Sequence, residues 1–325
     1  MHYLVLGGTQ FVGRHIVRAL LDAGHSVTLF SRGRTNPDLF LDAEHLRGDR
    51  AGDMSALEGR TWDRAIDVNA YVPRVVRRSA ELLRDAVEHL TFVSTVSVYP
   101  RWVEVGEDSP TVAPEVDTEE ITSESYGRLK VACEDVVREV FGRRALVVRP
   151  GIVVGPHDPT ERFTYWVART AAGGDVAVPG DPERLVQIVD ARDLGEWIGW
   201  MSMRRRPGVY NAAGPDYRLS FGRLLSRIRA VTGADASFHW VPDDKIEAEV
   251  EDSLPLWSRA DAGGRFDMDV DSTRARGEGL LFRPLAETIR DTLEWDRARG
   301  EGSAVRAGPG EEIERNLVAR ATRRT

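Results

Sequence analysis

The stretch that most constrains the fold lies at the N-terminus. Tyr3-Leu4-Val5-Leu6 is a short apolar run that ends in Gly7-Gly8-Thr9-Gln10-Phe11-Val12-Gly13. Val12, Ile16, Ala19, Leu20 and Ala23 then fall on one face of a helix, and Gly24 stands where such a helix stops. Ser26-Val27-Thr28-Leu29-Phe30 reads as the next strand. Strand, glycine-rich turn, helix and strand in so short a stretch make a βαβ unit, and such units build parallel sheets. The turn also has a chemical use. A helix N-terminus presents free N–H groups and the positive end of a dipole, so it attracts phosphate, and glycine lets the backbone come close to it. At the head of a βαβ unit this favours a dinucleotide pyrophosphate over a ligand-free turn.

The alternation continues. His45-Leu46-Arg47, Arg64 to Val68, Leu90 to Thr95 and Ala145 to Val148 read as strands, with helices over Pro73–Glu88 and Ser125–Phe141. Their near-continuous apolar character implies burial on both faces. After Arg149-Pro150-Gly151 the texture changes to shorter elements. Leu185–Val189 and Val209–Asn211 read as strands, and Leu194–Met203, Ser220–Val231 and Leu285–Arg299 as helices. The expected fold is α/β: a doubly wound parallel sheet of Rossmann type with a smaller C-terminal α/β substrate lobe. Residues 1–151 with about 186–211 form the nucleotide-binding domain, about 152–185 with 212–299 the lobe, and 300–325 a polar tail. Two loops stand out, Arg101–Glu124 and the turn-rich Gly155–Pro159.

Composition narrows the partners. The net charge of −8 argues against nucleic acid, which needs a basic face. No apolar run reaches the roughly 18 residues of a membrane span, and the N-terminus lacks a basic leader. The single cysteine, Cys133, cannot form an internal disulfide, and no Cys/His cluster has metal-binding spacing. These features predict a cytoplasmic protein that binds no membrane and no metal and acts on a small molecule.

Two groups of residues carry chemistry. Phe30 is followed by Ser31, Arg32, Gly33 and Arg34, with no carboxylate to hold a ribose 2′-hydroxyl. Arginine there suits a 2′-phosphate, which favours NADP over NAD. Tyr126-Gly127-Arg128-Leu129-Lys130 puts a phenol and an amine one helical turn apart. Only Lys130 and Lys245 are lysine, against seven tyrosines, so chance supplies such a pair about 0.04 times in this chain. An ammonium favours the phenolate of a nearby tyrosine and makes it a usable acid/base. Thr95, at a strand end, is placed to orient the reacting oxygen, with Ser94 and Ser97 as rivals. Cys133 falls on the apolar stripe of its helix and reads as a core thiol, and His157 is a weak candidate for substrate contact.

In this order the motifs resemble the extended short-chain dehydrogenase/reductase superfamily, its epimerase/dehydratase branch, over about residues 1–299. The matching segments are Gly7–Gly13, Val93–Tyr99, Tyr126–Lys130, Arg149–Pro156, Val189–Leu194 and Phe282–Trp295. The resemblance implies Thr95, Tyr126 and Lys130 as the catalytic set. It implies that Gly7, Thr9, Gln10, Phe11, Val12 and Gly13 line the pyrophosphate, and that Ser31, Arg32 and Asp49 face the adenosine. Asn69 and Ala70 would then flank the adenine-side ribose, with Lys130, Pro150 and Ile152 beside the nicotinamide. It also implies a possible homodimer through the helices at Pro73–Glu88 and Ser125–Phe141. There are departures. Gln10 replaces the middle glycine. Val96 and Ser97 stand where sugar dehydratases carry acids, which disfavours elimination of water. Gly151-Ile152-Val153 lacks the asparagine common in nucleotide-sugar epimerases. The expected activity is hydride transfer at a hydroxyl/carbonyl carbon. The alternatives are an epimerase that retains its cofactor and a non-catalytic dinucleotide- or RNA-binding protein of the same fold.

Overall fold

The computed structural model describes residues 1–259, 267–300 and 307–322. In chain order the elements are β1 (His2–Leu6), α1 (Phe11–Asp22), β2 (Ser26–Ser31), β3 (Glu44–Arg47), β4 (Trp62–Asp67), α2 (Pro73–Leu83), β5 (Val87–Val93), β6 (Val103–Val105), α3 (Ser125–Phe141), β7 (Ala145–Pro150) and β8 (Ile152–Val154). They continue with α4 (Arg162–Ala171), β9 (Gly174–Pro179), β10 (Ile188–Asp190), α5 (Ala191–Met203), β11 (Gly208–Ala212), α6 (Phe221–Thr232), β12 (Ala236–Val241), β13 (Asp269–Val270), α7 (Thr273–Gly277), α8 (Leu285–Ala298) and α9 (Glu311–Thr322). The chain divides into two units. The first takes in residues 1–153, 191–214 and 270–281, the second 154–190, 215–269 and 282–325.

The first unit is a seven-stranded sheet in the order β3-β2-β1-β4-β5-β7-β11. Every pairing in it is parallel. Strand order reverses between β1 and β4. Loops leaving neighbouring strands on opposite faces part at such a point and open a crevice at the carboxyl ends. Leu6 at the end of β1 lies in register with Phe30 of β2 and Asp67 of β4, so those three strands end level. On one face Leu4, Leu6, Ala65, Leu90, Phe92 and Val147 pack against Val76, Ala80 and Leu83 of α2 and Cys133, Val136 and Val137 of α3. Fully burying a large side chain of this kind stabilises by about 1.5–3 kcal/mol, so this layer fixes α3, the helix that carries Tyr126 and Lys130.

The second unit pairs β9 with β12 in parallel and packs α4, α6 and α8 together. Trp166 anchors it: the indole is buried, donates to the Pro255 carbonyl at 2.8 Å and meets the Phe221 ring edge-on at 5.1 Å.

Several boundaries differ from expectation. The helix expected over Pro73–Glu88 ends at Leu83, where Ala86 N–H turns back to the Leu83 carbonyl at 3.0 Å and feeds β5 from Val87. The strand expected over Leu185–Val189 contracts to β10, because Val186 N–H donates to the Leu219 carbonyl at 2.9 Å and the Leu185 carbonyl accepts from Met268 N–H at 3.1 Å. Residues 186–190 therefore belong to the second unit, while 270–281 join the first. The tail expected at 300–325 contains α9. Leu317 of that helix is buried with Ala177, Val241 and Trp257, and partly buried Ile313, Val318 and Ala321 pack against the same cluster. In the sequence these apolar positions are interleaved with five charged residues of the same helix, which masks the stripe. Among the described residues no helix is long and apolar enough to cross a membrane.

Candidate active site

The glycine-rich turn lies at the end of β1, on the crevice. Gly7 and Gly8 adopt φ of +104° and +101°, a region closed to side chains without strain. Gly13, one turn into α1, packs on Gly8: a Cβ there would stand 2.8 Å from Gly8 Cα and N. That approach holds the first turn of α1 against the strand end. Gln10, in the place of a middle glycine, is exposed and sits at the N-cap with extended backbone and no side-chain cap bond. The first turn of α1 holds no acidic residue, so the dipole's positive end is left uncompensated there. Thr9 is buried and its carbonyl accepts from Asn36 Nδ2 at 2.8 Å; Phe11 and Val12 are partly buried. These features fit a pyrophosphate cradled by backbone N–H groups.

At the end of β2, Ser31 Oγ accepts from Gly33 N–H at 3.2 Å, while Arg32 and Arg34 are exposed. Arg47, at the end of β3, lies against Gly33. Gly33 is flanked in the chain by Arg32 and Arg34, and the segment Ser31–Arg34 that leaves β2 carries no carboxylate. Asp49 is exposed, and its carboxylate accepts from Ala51 N–H at 2.9 Å within its own turn.

The turn after β4 is more tightly held than its sequence suggests. Arg50 gives two hydrogen bonds to Asp67, at 2.7 and 2.5 Å, one to the Asn69 carbonyl and one to Ser79 Oγ, both at 2.9 Å. Asn69 is exposed and flanks Gly7; Ala70 is buried. The Ala70 carbonyl accepts from Lys130 Nζ at 2.8 Å, and Val93, the last residue of β5, accepts from the same nitrogen at 2.7 Å. Lys130 thus ties the carboxyl ends of β4 and β5 to α3. It is only 2% exposed, and its ammonium lies over the Phe92 ring at 4.4 Å and the Tyr71 ring at 5.4 Å. Burial lowers its pKa to about 8, against the pull of Cys133, Asp67 and Glu134.

Tyr126 stands one turn before Lys130, partly exposed, with its ring 6.1 Å from that of Tyr71. The next residue explains how it meets the Thr95 segment. A Cβ on Gly127 would lie 2.1 Å from the Ser97 carbonyl oxygen, so only glycine lets α3 come this close. Thr95 is buried and caps the short turn Val96–Val98: its Oγ1 accepts from Ser97 N–H at 3.1 Å and lies 3.2 Å from Ser97 Oγ. Of its rivals, Ser94 is occupied elsewhere, donating to Glu134 at 2.6 Å, whereas Ser97 is partly exposed beside Thr95. Pro150 and Ile152 are buried on either side of Gly151, whose N–H donates to the Ala212 carbonyl at 3.0 Å. Gly7, Asn69, Ala70, Lys130 and Val93 therefore form one line across the strand ends.

Beneath that line lies an ion network. Glu134, 0% exposed, accepts from Arg149 at 2.9 and 2.6 Å, from Ser94, and from Arg138 at 2.5 Å. Arg149 also donates to the Tyr99 hydroxyl at 2.8 Å, which donates to Asn211 Oδ1 at 2.8 Å. Burial pulls the Arg149 pKa down, but the bonds and charge of Glu134, with Tyr99, more than offset it and hold the pKa above the usual value. The network joins β5, β7, β11 and α3 just under Thr95.

The model of the NAD dependent epimerase/dehydratase family matches this chain over residues 3–59 and 57–213. The chain belongs to that family. Its relatives include an Arabidopsis thaliana protein named chloroplast stem-loop binding protein of 41 kDa b, 26% identical over 209 residues, which are 59% of this chain and about half, 52%, of that protein. Solved structures of similar shape include MoeE5 in complex with UDP-glucose and NAD, with 20% identity, coverage of 92% of this chain and 99% of that one, and a TM-score of 0.67. Another is UDP-glucose 4-epimerase from Thermotoga maritima, with 19% identity, coverage of 92% and 99%, and a TM-score of 0.69. A third is UDP-glucuronic acid 4-epimerase from Bacillus cereus in complex with NAD, with 16% identity, coverage of 92% and 99%, and a TM-score of 0.69. At these identities the likeness is one of fold: the doubly wound α/β sheet.

The second unit of this family member holds one feature absent from the sequence reading. Arg184 is 1% exposed, and among the described residues none of its Nε, Nη1 and Nη2 has a hydrogen-bond partner. Its guanidinium stacks on the Phe221 ring at 3.8 Å, and burial lowers its pKa to about 9 against the pull of Asp243, Asp267 and Asp181. A buried guanidinium without acceptors is costly unless an anion meets it. In the same unit His157 packs edge-on against Trp295 at 5.3 Å.

Proposed function

We propose that this protein is an NAD(P)-dependent oxidoreductase that transfers hydride at a hydroxyl/carbonyl carbon of a small molecule, with NADP preferred to NAD. The observation that carries the reading is Lys130: a buried ammonium fixed to the carboxyl ends of β4 and β5 and one helical turn from Tyr126. In this reading Tyr126 gives or takes the hydroxyl proton and Lys130 favours its phenolate and holds a ribose hydroxyl. Thr95 orients the reacting oxygen, with Ser97 beside it. Gly7, Thr9, Gln10, Phe11, Val12 and Gly13 hold the pyrophosphate, Ser31, Arg32 and Asp49 the adenosine, Asn69 and Ala70 its ribose, and Pro150 and Ile152 the nicotinamide. When bound, the nicotinamide supplies or accepts the hydride. The NADP preference rests on Arg32, Arg34 and Arg47 at the ends of β2 and β3.

A second reading is an epimerase that keeps its dinucleotide and returns the hydride to the opposite face. The 4-epimerases of similar fold favour it. Dinucleotide released from freshly purified protein separates the two readings. An empty site that takes NADPH at least tenfold more tightly than NADH supports the oxidoreductase; retained oxidised NAD supports the epimerase and overturns the role given to Arg32. The stem-loop binding relative raises RNA as a third ligand. A gel shift at low salt tests it, and the charge of −8 predicts no shift. A cytoplasmic location and a homodimer through α2 and α3 belong to the same proposal, the latter measurable by light scattering.

A further inference from the structure

Tyr71 occupies the turn between β4 and α2. Among the described residues four groups lie around the Lys130 ammonium: the carbonyls of Ala70 and Val93 and the rings of Phe92 and Tyr71. Ala70, Phe92 and Val93 are buried, whereas Tyr71 is 38% exposed. Of these four neighbours Tyr71 is the one that reaches solvent. The same ring stands beside Tyr126, tilted 43° to it at 6.1 Å. One aromatic side chain touches both members of the acid/base pair.

We propose that Tyr71 is a positioning residue, its ring screening Lys130 from water and setting the plane of the Tyr126 phenol. This rests on the reading of Tyr126 and Lys130 given above. Its physical basis is that a cation over an aromatic face keeps an attractive partner while losing solvent. A dry ammonium acts more strongly on a neighbouring phenol than a hydrated one. The ring does this work; the hydroxyl does not.

The lysine scarcity gives a direct test. Full-length protein is acetylated briefly with an N-hydroxysuccinimide ester, and the two lysines are read separately by peptide mass spectrometry. Lys245 is partly exposed and serves as the internal reference. In the parent protein Lys245 labels and Lys130 stays protected. Tyr71→Ala is expected to raise Lys130 labelling at least tenfold relative to Lys245, and Tyr71→Phe to leave it within twofold. Labelling of Cys133 with a thiol reagent, unchanged in both, shows that α3 stays packed; if Tyr71→Ala exposes Cys133, Tyr71→Val replaces it in the same comparison. Lys130 labelling within twofold of the parent in the ring-deleted variant, or equal labelling in the Phe and Ala variants, overturns the proposal.

A pH profile provides the second readout. The titratable groups acting on Lys130 are Cys133 and Glu134 from α3, Asp67 from β4 and Arg50 from the turn after β3, with Tyr71 and Tyr126 beside them. The rate limb belonging to Lys130 should move up from about 8 in Tyr71→Ala and stay in place in Tyr71→Phe. The two failures remain distinct. Turnover indifferent to Tyr126→Phe would sink the functional reading and leave the labelling pattern standing, whereas an unprotected Lys130 would sink only the role of Tyr71.

Discussion

Glu134 is the residue whose loss should damage the candidate site most without touching it. In Glu134→Ala the Arg149 guanidinium keeps only the Tyr99 hydroxyl and a 3.5 Å contact with the Glu107 carbonyl, and Ser94 loses its acceptor. The side chains of the pair are 3% and 0% exposed, so water replaces nothing without opening the fold. Breaking one partner of such a pair costs about 3–5 kcal/mol, whereas replacing both with apolar residues is often close to neutral. The assay uses Cys133, the sole cysteine, buried on α3 next to Glu134 with its thiol pKa raised to about 12 by burial. Its reaction with a thiol reagent reports opening of the first unit. With closing fast relative to labelling, 3–5 kcal/mol raises the rate by about two to three and a half decades. The double replacement Glu134→Leu with Arg149→Leu should return most of the protection. A rate in Glu134→Ala within fivefold of the parent, or a double variant as open as the single one, would refute the account of a coupled buried pair.

Further outcomes follow from the same geometry. Tyr126→Phe should lower kcat by at least about two decades while dinucleotide affinity, measured by fluorescence titration, stays within threefold. Arg32→Ala should reduce the NADPH-over-NADH preference by about tenfold, the size of one charge-assisted bond, in paired titrations. Gly127→Ala should force α3 off the Ser97 carbonyl and cost activity out of proportion to stability, seen as a kcat loss with a Tm change of a few degrees. Lys130 has a folded pKa near 8, below its unfolded value, so the unfolded chain binds more protons between about pH 8 and 10.4. Stability in urea should therefore rise through that window by about 3 kcal/mol relative to Lys130→Met, and show no such difference in slope below it.

The parts of this design that lie close together in the sequence were legible in it. The strand, glycines and helix of residues 3–24 signal one another across a few positions, and a lysine in a chain of arginines marks itself. The network under Thr95 was not, because its partners are separated by 15 and 50 residues and each looks like an ordinary surface charge or an ordinary aromatic. Tyr71 carried no signal, since its neighbours Lys130 and Tyr126 reach it only through folding. Arg184 was hidden among many arginines; burial alone distinguishes it. Helix α9 looks like tail in the sequence because its apolar residues are interleaved with charges. The boundaries near 186–190 and 270–281 were misplaced because local pattern does not show which unit receives a returning strand.

Gly127 has a consequence for how this protein could change its chemistry. The backbone of α3 rests directly on the Ser97 carbonyl, with no side chain between them to lengthen or shorten. The separation between the Thr95 segment and the helix that carries Tyr126 is therefore a property of the main chain, which side-chain changes at positions other than Gly127 do not reset. New substrates must then be accommodated by residues farther from this contact, and the spacing of the two backbone segments acts as a fixed ruler against which any substrate is measured.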